Sequence, residues 1–249
     1  MADLLDGRRA FITGGAQGLG LAILEAFAGA GARGLAFDLA TPARPLPQGW
    51  RHVGGDLRDE DALANALAAA NQDLGGLDIV VANAGVVPPW HDSEAIDLAE
   101  WGAVFAVNVR GVAATLKLAV PLMKASGGAI IAMASVNAVV GHPKQAAYVA
   151  SKHAVLGIVR AVAMDVGRFS IRVNALCPGP VATEALLARL AQRQEQGGAT
   201  MAQTLDLYGK TALRRMPSLA DVAGAALFLA SDLSSGVTGQ ALMVDAGAG

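Results

Sequence analysis

Short apolar runs alternating with longer helical patterns predict an α/β protein in which one parallel sheet of seven strands carries helices on both faces. Two further observations agree with this. A glycine-rich turn follows the first run and opens a helix, and no repeat or composition break divides the 249 residues, so a single domain spanning 1–249 is expected.

The strands are read at Arg9 to Thr13, Gly34 to Asp38, Trp50 to Val53, Asp78 to Asn83, Ala129 to Ser135, Ile171 to Leu176 and Ala241 to Val244. Helical patterns lie at Leu19 to Ala30, Glu60 to Gln72, Leu98 to Ser126 with a break, Tyr148 to Phe169 and Leu219 to Ser231. Pro42, Pro45 and Pro47 argue against a helix between the second and third strands. Residues 181–217 carry no strand signal. A helical pattern from Glu184 to Gln196, the Gly197-Gly198 hinge and an apolar pattern ending near Leu213 read as a lid over the C-terminal ends of the strands.

Apolar residues make up 53% and charged residues 16%, which excludes a disordered chain. A net charge of −2, with no basic cluster longer than a pair such as Arg214 and Arg215, offers no surface for nucleic acid. Lys117, Arg160 and similar charges interrupt the apolar stretches, so no membrane span is expected. Acids in the first residues argue against a secretory signal, and a cytoplasmic location is expected. Cys177 is the only cysteine, which reads as a small core residue, and no His, Asp or Glu spacing suggests a metal.

The turn Gly14-Gly15-Ala16-Gln17-Gly18-Leu19-Gly20 lets backbone N–H groups approach a pyrophosphate at a helix N-terminus. A phosphoryl-transfer loop would need Lys and then Ser or Thr after the last glycine, where Leu21 and Ala22 stand. Asp38 ends the second strand, where its carboxylate can accept hydrogen bonds from the adenosine ribose and repel a 2′-phosphate. With no Arg or Lys at Ala16, Gln17 or Leu39, NAD is expected over NADP.

Tyr148 and Lys152 are four residues apart in a helical pattern and project from one face. A nearby ammonium lowers a tyrosine pKa toward the range of a general base, so Tyr148 can take a proton from an alcohol or return it to a ketone. Ser135, at a strand end, can hydrogen-bond the reacting oxygen.

These residues resemble the short-chain dehydrogenases/reductases over essentially the whole chain. The matching positions are Thr13 with Gly14, Gly18 and Gly20, Asp56, Asn83-Ala84-Gly85, Asn108, Ser135, Tyr148 with Lys152, and Pro178-Gly179 with Thr183. The resemblance implies a doubly wound (Rossmann) fold and a tetrad of Asn108, Ser135, Tyr148 and Lys152. In it Tyr148 is the acid/base, Ser135 orients the substrate oxygen, Lys152 also holds the nicotinamide ribose, and Asn108 anchors a relay water. It further implies cofactor contacts from Gln17 and Leu19, from Asp56 and Leu57 beside the adenine, from Asn83, Ala84 and Gly85 at the ribose, and from Pro178, Gly179, Val181 and Thr183 over the nicotinamide amide. Homo-tetramers or dimers are implied, packed through the helix from Tyr148 and the one near Ala99 to Lys124. The chain departs from the family pattern at Ile131-Ala132-Met133-Ala134 and at Val244-Asp245-Ala246-Gly247, which lacks the usual paired glycines.

The expected substrate wall is mostly apolar (Ala138, Val139, Val140, Pro180, Leu186, Leu187, Met201, Leu205), which favours a neutral or partly apolar alcohol or ketone over a multiply charged one. Asn137, His142, Gln145 and Tyr208 are the polar candidates, with His91 and Trp90 at another strand end. His52 and His153 read as structural. The leading expectation is an NAD-dependent secondary-alcohol oxidoreductase. A 3-oxoacyl-thioester reductase shares nearly every motif, but usually takes NADP and needs a basic surface for an acyl carrier. A dinucleotide-sensing binding protein would have no need of Tyr148 and Lys152 together.

Overall fold

Seven strands, β1 (Arg9–Thr13), β2 (Arg33–Asp38), β3 (Trp50–Gly54), β4 (Ile79–Ala82), β5 (Gly128–Met133), β6 (Ile171–Pro178) and β7 (Ala241–Val244), form one sheet in the order β3-β2-β1-β4-β5-β6-β7. The computed structural model describes residues 3–248. All neighbouring strands pair in parallel, so the chain must cross over after each strand, and helices cover both faces. Burial on both faces explains why β4 reads Ile-Val-Val-Ala without alternation, all four residues being buried. One core layer gathers Phe11, Leu35, Phe37, Leu67, Ile130 and Val159; the other gathers Ile12, Leu24, Phe27, Val81, Ile131 and Leu229.

Among the described residues eight α-helices run in the order α1 (Gly18–Gly29), α2 (Glu60–Leu74), α3 (Leu98–Phe105), α4 (Val112–Met123), α5 (Ala146–Val166), α6 (Glu184–Glu195), α7 (Met201–Tyr208) and α8 (Leu219–Ala230). Local signals set most of their ends. Asp59 caps α2 by accepting from the N–H groups of Asp61 and Ala62, and Gly75, at φ 75°, ends it in the left-handed region. The proline-rich segment between β2 and β3 holds no helix, as its three prolines require.

The break expected within 98–126 is a π-helical turn at Ala106–Gly111 between α3 and α4. Such a turn inserts a residue into the helical ladder and re-aims the side chains around it. Here it buries Asn108 completely. Leu98–Met123 taken as one run is long and apolar enough to cross a bilayer, contrary to the expectation from charge interruptions. In the fold its residues Val104, Val112, Leu116, Ala119 and Met123 are buried in the protein interior.

The strand order reverses between β1 and β4, which opens a crevice above their C-terminal ends. Residues 14–20, 83–86 and 134–145 and the lid helices α6 and α7 all leave the sheet on that side.

Candidate active site

The cofactor cradle is built by backbone closeness. A Cβ on Gly20 would lie 1.9 Å from the Gly14 carbonyl oxygen, and one on Gly14, at φ 68°, would lie 2.8 Å from the Ala84 Cα, so neither position takes a side chain. The Asn83 side-chain amide fixes the turn by donating to the carbonyls of Thr13 (3.0 Å) and Gly14 (2.9 Å). The Thr13 hydroxyl in turn accepts from the N–H groups of Asn83 and Ala84. Thus Asn83 and Thr13 tie β1 to β4 at the crevice, a positioning role not visible in the sequence. Gln17 precedes α1 without a side-chain cap, and no acid stands in the first turn, which leaves its N–H groups for an anion.

At the end of β2, each carboxylate oxygen of Asp38 accepts one backbone N–H, from Ala16 (2.8 Å) and Ala40 (3.0 Å). This fixes the carboxylate while leaving a lone pair on each oxygen for ribose hydroxyls. The neighbouring Leu39 is 75% exposed and apolar, so nothing there compensates a 2′-phosphate. Across the crevice Thr183 caps α6 through the Leu186 N–H, and its methyl lies 3.9 Å from where a Gly18 Cβ would stand. The Gly179 N–H donates to the Val244 carbonyl (2.9 Å), which anchors the base of the 178–183 segment on β7. A dinucleotide fits these groups: a side-chain-free cradle, an uncapped helix start and a fixed strand-end carboxylate. Asp56 and Leu57 are spoken for in part, since Asp56 pairs with Arg58 (2.6 Å) and the Leu57 side chain is buried against Gly111.

Ser135 leaves β5 and Tyr148 enters on the first turn of α5, with the Ser135 hydroxyl beside the Tyr148 phenol. Lys152, one turn on, is 4% exposed and donates to the Met133 carbonyl at 2.8 Å. Asn108 clamps the strand end after β4: its Oδ1 accepts the Val86 N–H (2.8 Å), and its Nδ2 donates to the Val86 carbonyl (2.9 Å) and the Ser151 hydroxyl (3.1 Å). Three of the four predicted catalytic side chains therefore converge at one place, and the fourth builds the wall behind them.

The family model described as enoyl-(acyl carrier protein) reductase matches residues 14–249. Xanthoxin dehydrogenase of Arabidopsis thaliana is 37% identical, the alignment covering 97% of this chain and 89% of that one. (+)-Borneol dehydrogenase 2 of Salvia officinalis is also 37% identical, over 97% and 89%. The crystal structure of carveol dehydrogenase from Mycobacterium avium in complex with NAD superposes with a TM-score of 0.89 at 30% identity, over 99% of both chains. The chain belongs to the short-chain dehydrogenases/reductases. It is an oxidoreductase.

Within this short-chain dehydrogenase/reductase, burial sets the electrostatics of the tetrad. The expected lowering of the Tyr148 pKa is not met: the phenol lies above its ordinary value. Burial pushes the phenol above its ordinary value, against the opposing pull of the Ser135 hydroxyl and the Arg189 guanidinium. Lys152 itself is drawn to Met133, its Nζ 5.6 Å from the Tyr148 ring centre. The Asn108 side chain, with both amide protons committed and its Oδ1 accepting the Val86 N–H, clamps the strand end behind the site.

Burial pushes Lys152 down to about 8, opposed by nearby Cys177. Between about 8 and the ordinary 10.5 the unfolded chain holds more protons than the folded one, so stability rises with pH across that window and carries the full cost of the buried charge below it. The cofactor-free Lys152→Met protein is therefore expected to exceed the wild type in stability at pH 7, with the gap narrowing by about pH 9.5. Urea titrations of both proteins at the two pH values check this.

The candidate substrate residues divide. Asn137 is buried and donates to the Gln145 side chain (3.1 Å), while its N–H donates to the Ser135 hydroxyl (3.2 Å), so the pair sets the loop that carries Ser135. The His142 Nδ1 lies 2.8 Å from the Pro143 carbonyl, and its ring meets Trp90 edge-on at 5.0 Å. His91 pairs with Glu100 at 3.2 Å. Val139 and Val140 are exposed, whereas Ala138 belongs to the core. Cys177 is wholly buried, as expected of a core residue. Among the described residues no three His, Cys, Asp or Glu side chains gather as a metal site. The sequence reading missed Arg189 and Arg193 of α6, which the lid brings to the site. Their four-residue spacing on one helix face was the available signal.

Proposed function

We propose that this chain oxidises a secondary alcohol to its ketone, with NAD as hydride acceptor. The observation that carries the reading is the juxtaposition of Ser135, Tyr148 and Lys152 with a cradle whose fixed Asp38 carboxylate has no cation beside it. A bound nicotinamide supplies the acceptor for the hydride that leaves the carbinol carbon. The Tyr148 oxygen takes the hydroxyl proton, the Ser135 hydroxyl donates to the same substrate oxygen, and the Lys152 charge beside the ring would stabilise the phenolate.

The relatives' names, xanthoxin, borneol and carveol dehydrogenase, support alcohol–ketone chemistry, and the NAD complex of the last supports the cofactor. A homo-tetramer packed through α5 and the α3–α4 pair is part of the proposal; Met164 on α5 is 85% exposed and Leu98 at the start of α3 is 79% exposed, apolar surface that such packing would cover. So is a cytoplasmic setting, in keeping with one buried, unpaired cysteine.

The test is the absorbance of reduced nicotinamide on mixing the protein with NAD or NADP and a panel of secondary alcohols, diols and hydroxy acids, with 3-oxoacyl thioesters run in the reductive direction. Reduction of NAD and not NADP is expected. Turnover with NADP alone, or of thioesters alone, would replace this reading with a thioester reductase.

A further inference from the structure

The lid helix α6 presents two guanidinium groups to the site. Arg189 and Arg193 are four residues apart and so share one face of the helix. The Arg193 guanidinium lies over the Trp90 ring, 4.1 Å from its centre, and Trp90 abuts His142 in the loop joining Ser135 to α5. That contact turns the shared face of α6 toward the reacting groups. Arg189 sits one turn nearer Thr183, partly buried, within electrostatic reach of the Tyr148 and Tyr208 phenols.

Among the described residues no carboxylate or carbonyl lies within hydrogen-bond or ion-pair distance of Arg189. The acids of its own helix, Glu184 and Glu195, make no ion pair with it, and Asp92, Glu100 and Asp206 pair with Lys144 (2.9 Å), His91 (3.2 Å) and Lys210 (3.2 Å). A partly buried cation without a counter-charge is unfavourable until something supplies one. The other lid side chains of that wall, Leu186, Leu187, Leu205 and Met201, are partly buried and apolar.

We propose that Arg189 is the carboxylate anchor of the substrate pocket, so that the substrate is a hydroxy acid with an otherwise apolar body, its carboxylate on the Arg189 guanidinium and its carbinol at Tyr148 and Ser135. The planar fork of Arg donates to both oxygens of a carboxylate at once, which fixes the orientation of the carbinol as well as adding affinity. Arg193, spread on Trp90, walls the pocket and is not a second anchor. One anchored charge also agrees with a pocket too apolar for a multiply charged ligand. The inference rests on the dehydrogenase reading.

The experiment is calorimetric titration in two stages. NADH is added first, and cyclohexanecarboxylate or its neutral amide is then titrated into the NADH complex, for the wild type, Arg189→Ala and Arg189→Lys. The wild-type complex is expected to bind the acid at least about tenfold more tightly than the amide. Arg189→Ala is expected to erase that difference by weakening the acid alone, and Arg189→Lys to keep part of it, both with NADH affinity unchanged as the sign of an intact fold. Equal affinity for acid and amide in the wild type, absence of acid binding to the NADH complex, or equal weakening of both ligands in Arg189→Ala overturns the anchor. A wild type that fails to bind NADH loses the dehydrogenase reading, and the anchor with it.

Discussion

Tyr148→Phe is expected to lower kcat by about a thousandfold while NADH still binds with nearly wild-type affinity. The change removes one oxygen and keeps the ring, so the packing of the first turn of α5 survives and the loss reports on proton transfer alone. No other side chain can take the role. Ser135 is a hydroxyl beside the same phenol, Lys152 is held by the Met133 carbonyl, and both amide protons of Asn108 are committed to Val86 and Ser151. Burial raises the phenol in the cofactor-free protein, so phenolate absorbance should appear above the ordinary tyrosine range without cofactor and at lower pH once NAD is bound. Steady-state kinetics, NADH titration and an ultraviolet pH titration measure the three quantities. A kcat within a few-fold of wild type would remove Tyr148 from the mechanism.

The second large effect is expected at Asp38. In the double variant Asp38→Ala with Leu39→Arg, the ratio of kcat/KM for NAD over NADP should fall by about a hundredfold or more, through loss of charge-assisted ribose hydrogen bonds and gain of a phosphate partner. Leu39 is 75% exposed, so the new guanidinium needs no room in the core. Asp38 also accepts the Ala16 N–H, so some loosening of the glycine turn should weaken both cofactors together. The ratio isolates discrimination from that shared loss. An unchanged ratio would mean that Asp38 serves only to hold the turn.

Much of this architecture was legible because its signals are local. The alternation of short apolar runs with helical patterns placed all seven strands, with β1 and β7 at their observed limits. The prolines between β2 and β3 excluded a helix by their fixed geometry, and the spacing of Tyr148 and Lys152 followed from one turn of helix. Element ends were less legible where tertiary contacts set them. The π-turn at 106–111 buries Asn108 against Val86 and Ser151, partners that come together only in the fold.

By itself the sequence determined the fold class and pointed to the dinucleotide cradle and the candidate reacting residues, because backbone geometry at Gly14 and Gly20 and the chemistry of a Tyr–Lys pair are properties of short segments. Only the tertiary structure decided the electrostatics. Whether Lys152 lowers the Tyr148 pKa depends on the Met133 carbonyl that captures its proton donor and on the burial of both groups. Whether the pocket is neutral depends on α6 folding back so that Arg193 meets Trp90 and the Arg189 charge is felt at the Tyr148 phenol. Burial and the distance between charges come from segments far apart in the chain, and a linear pattern of residue types carries neither.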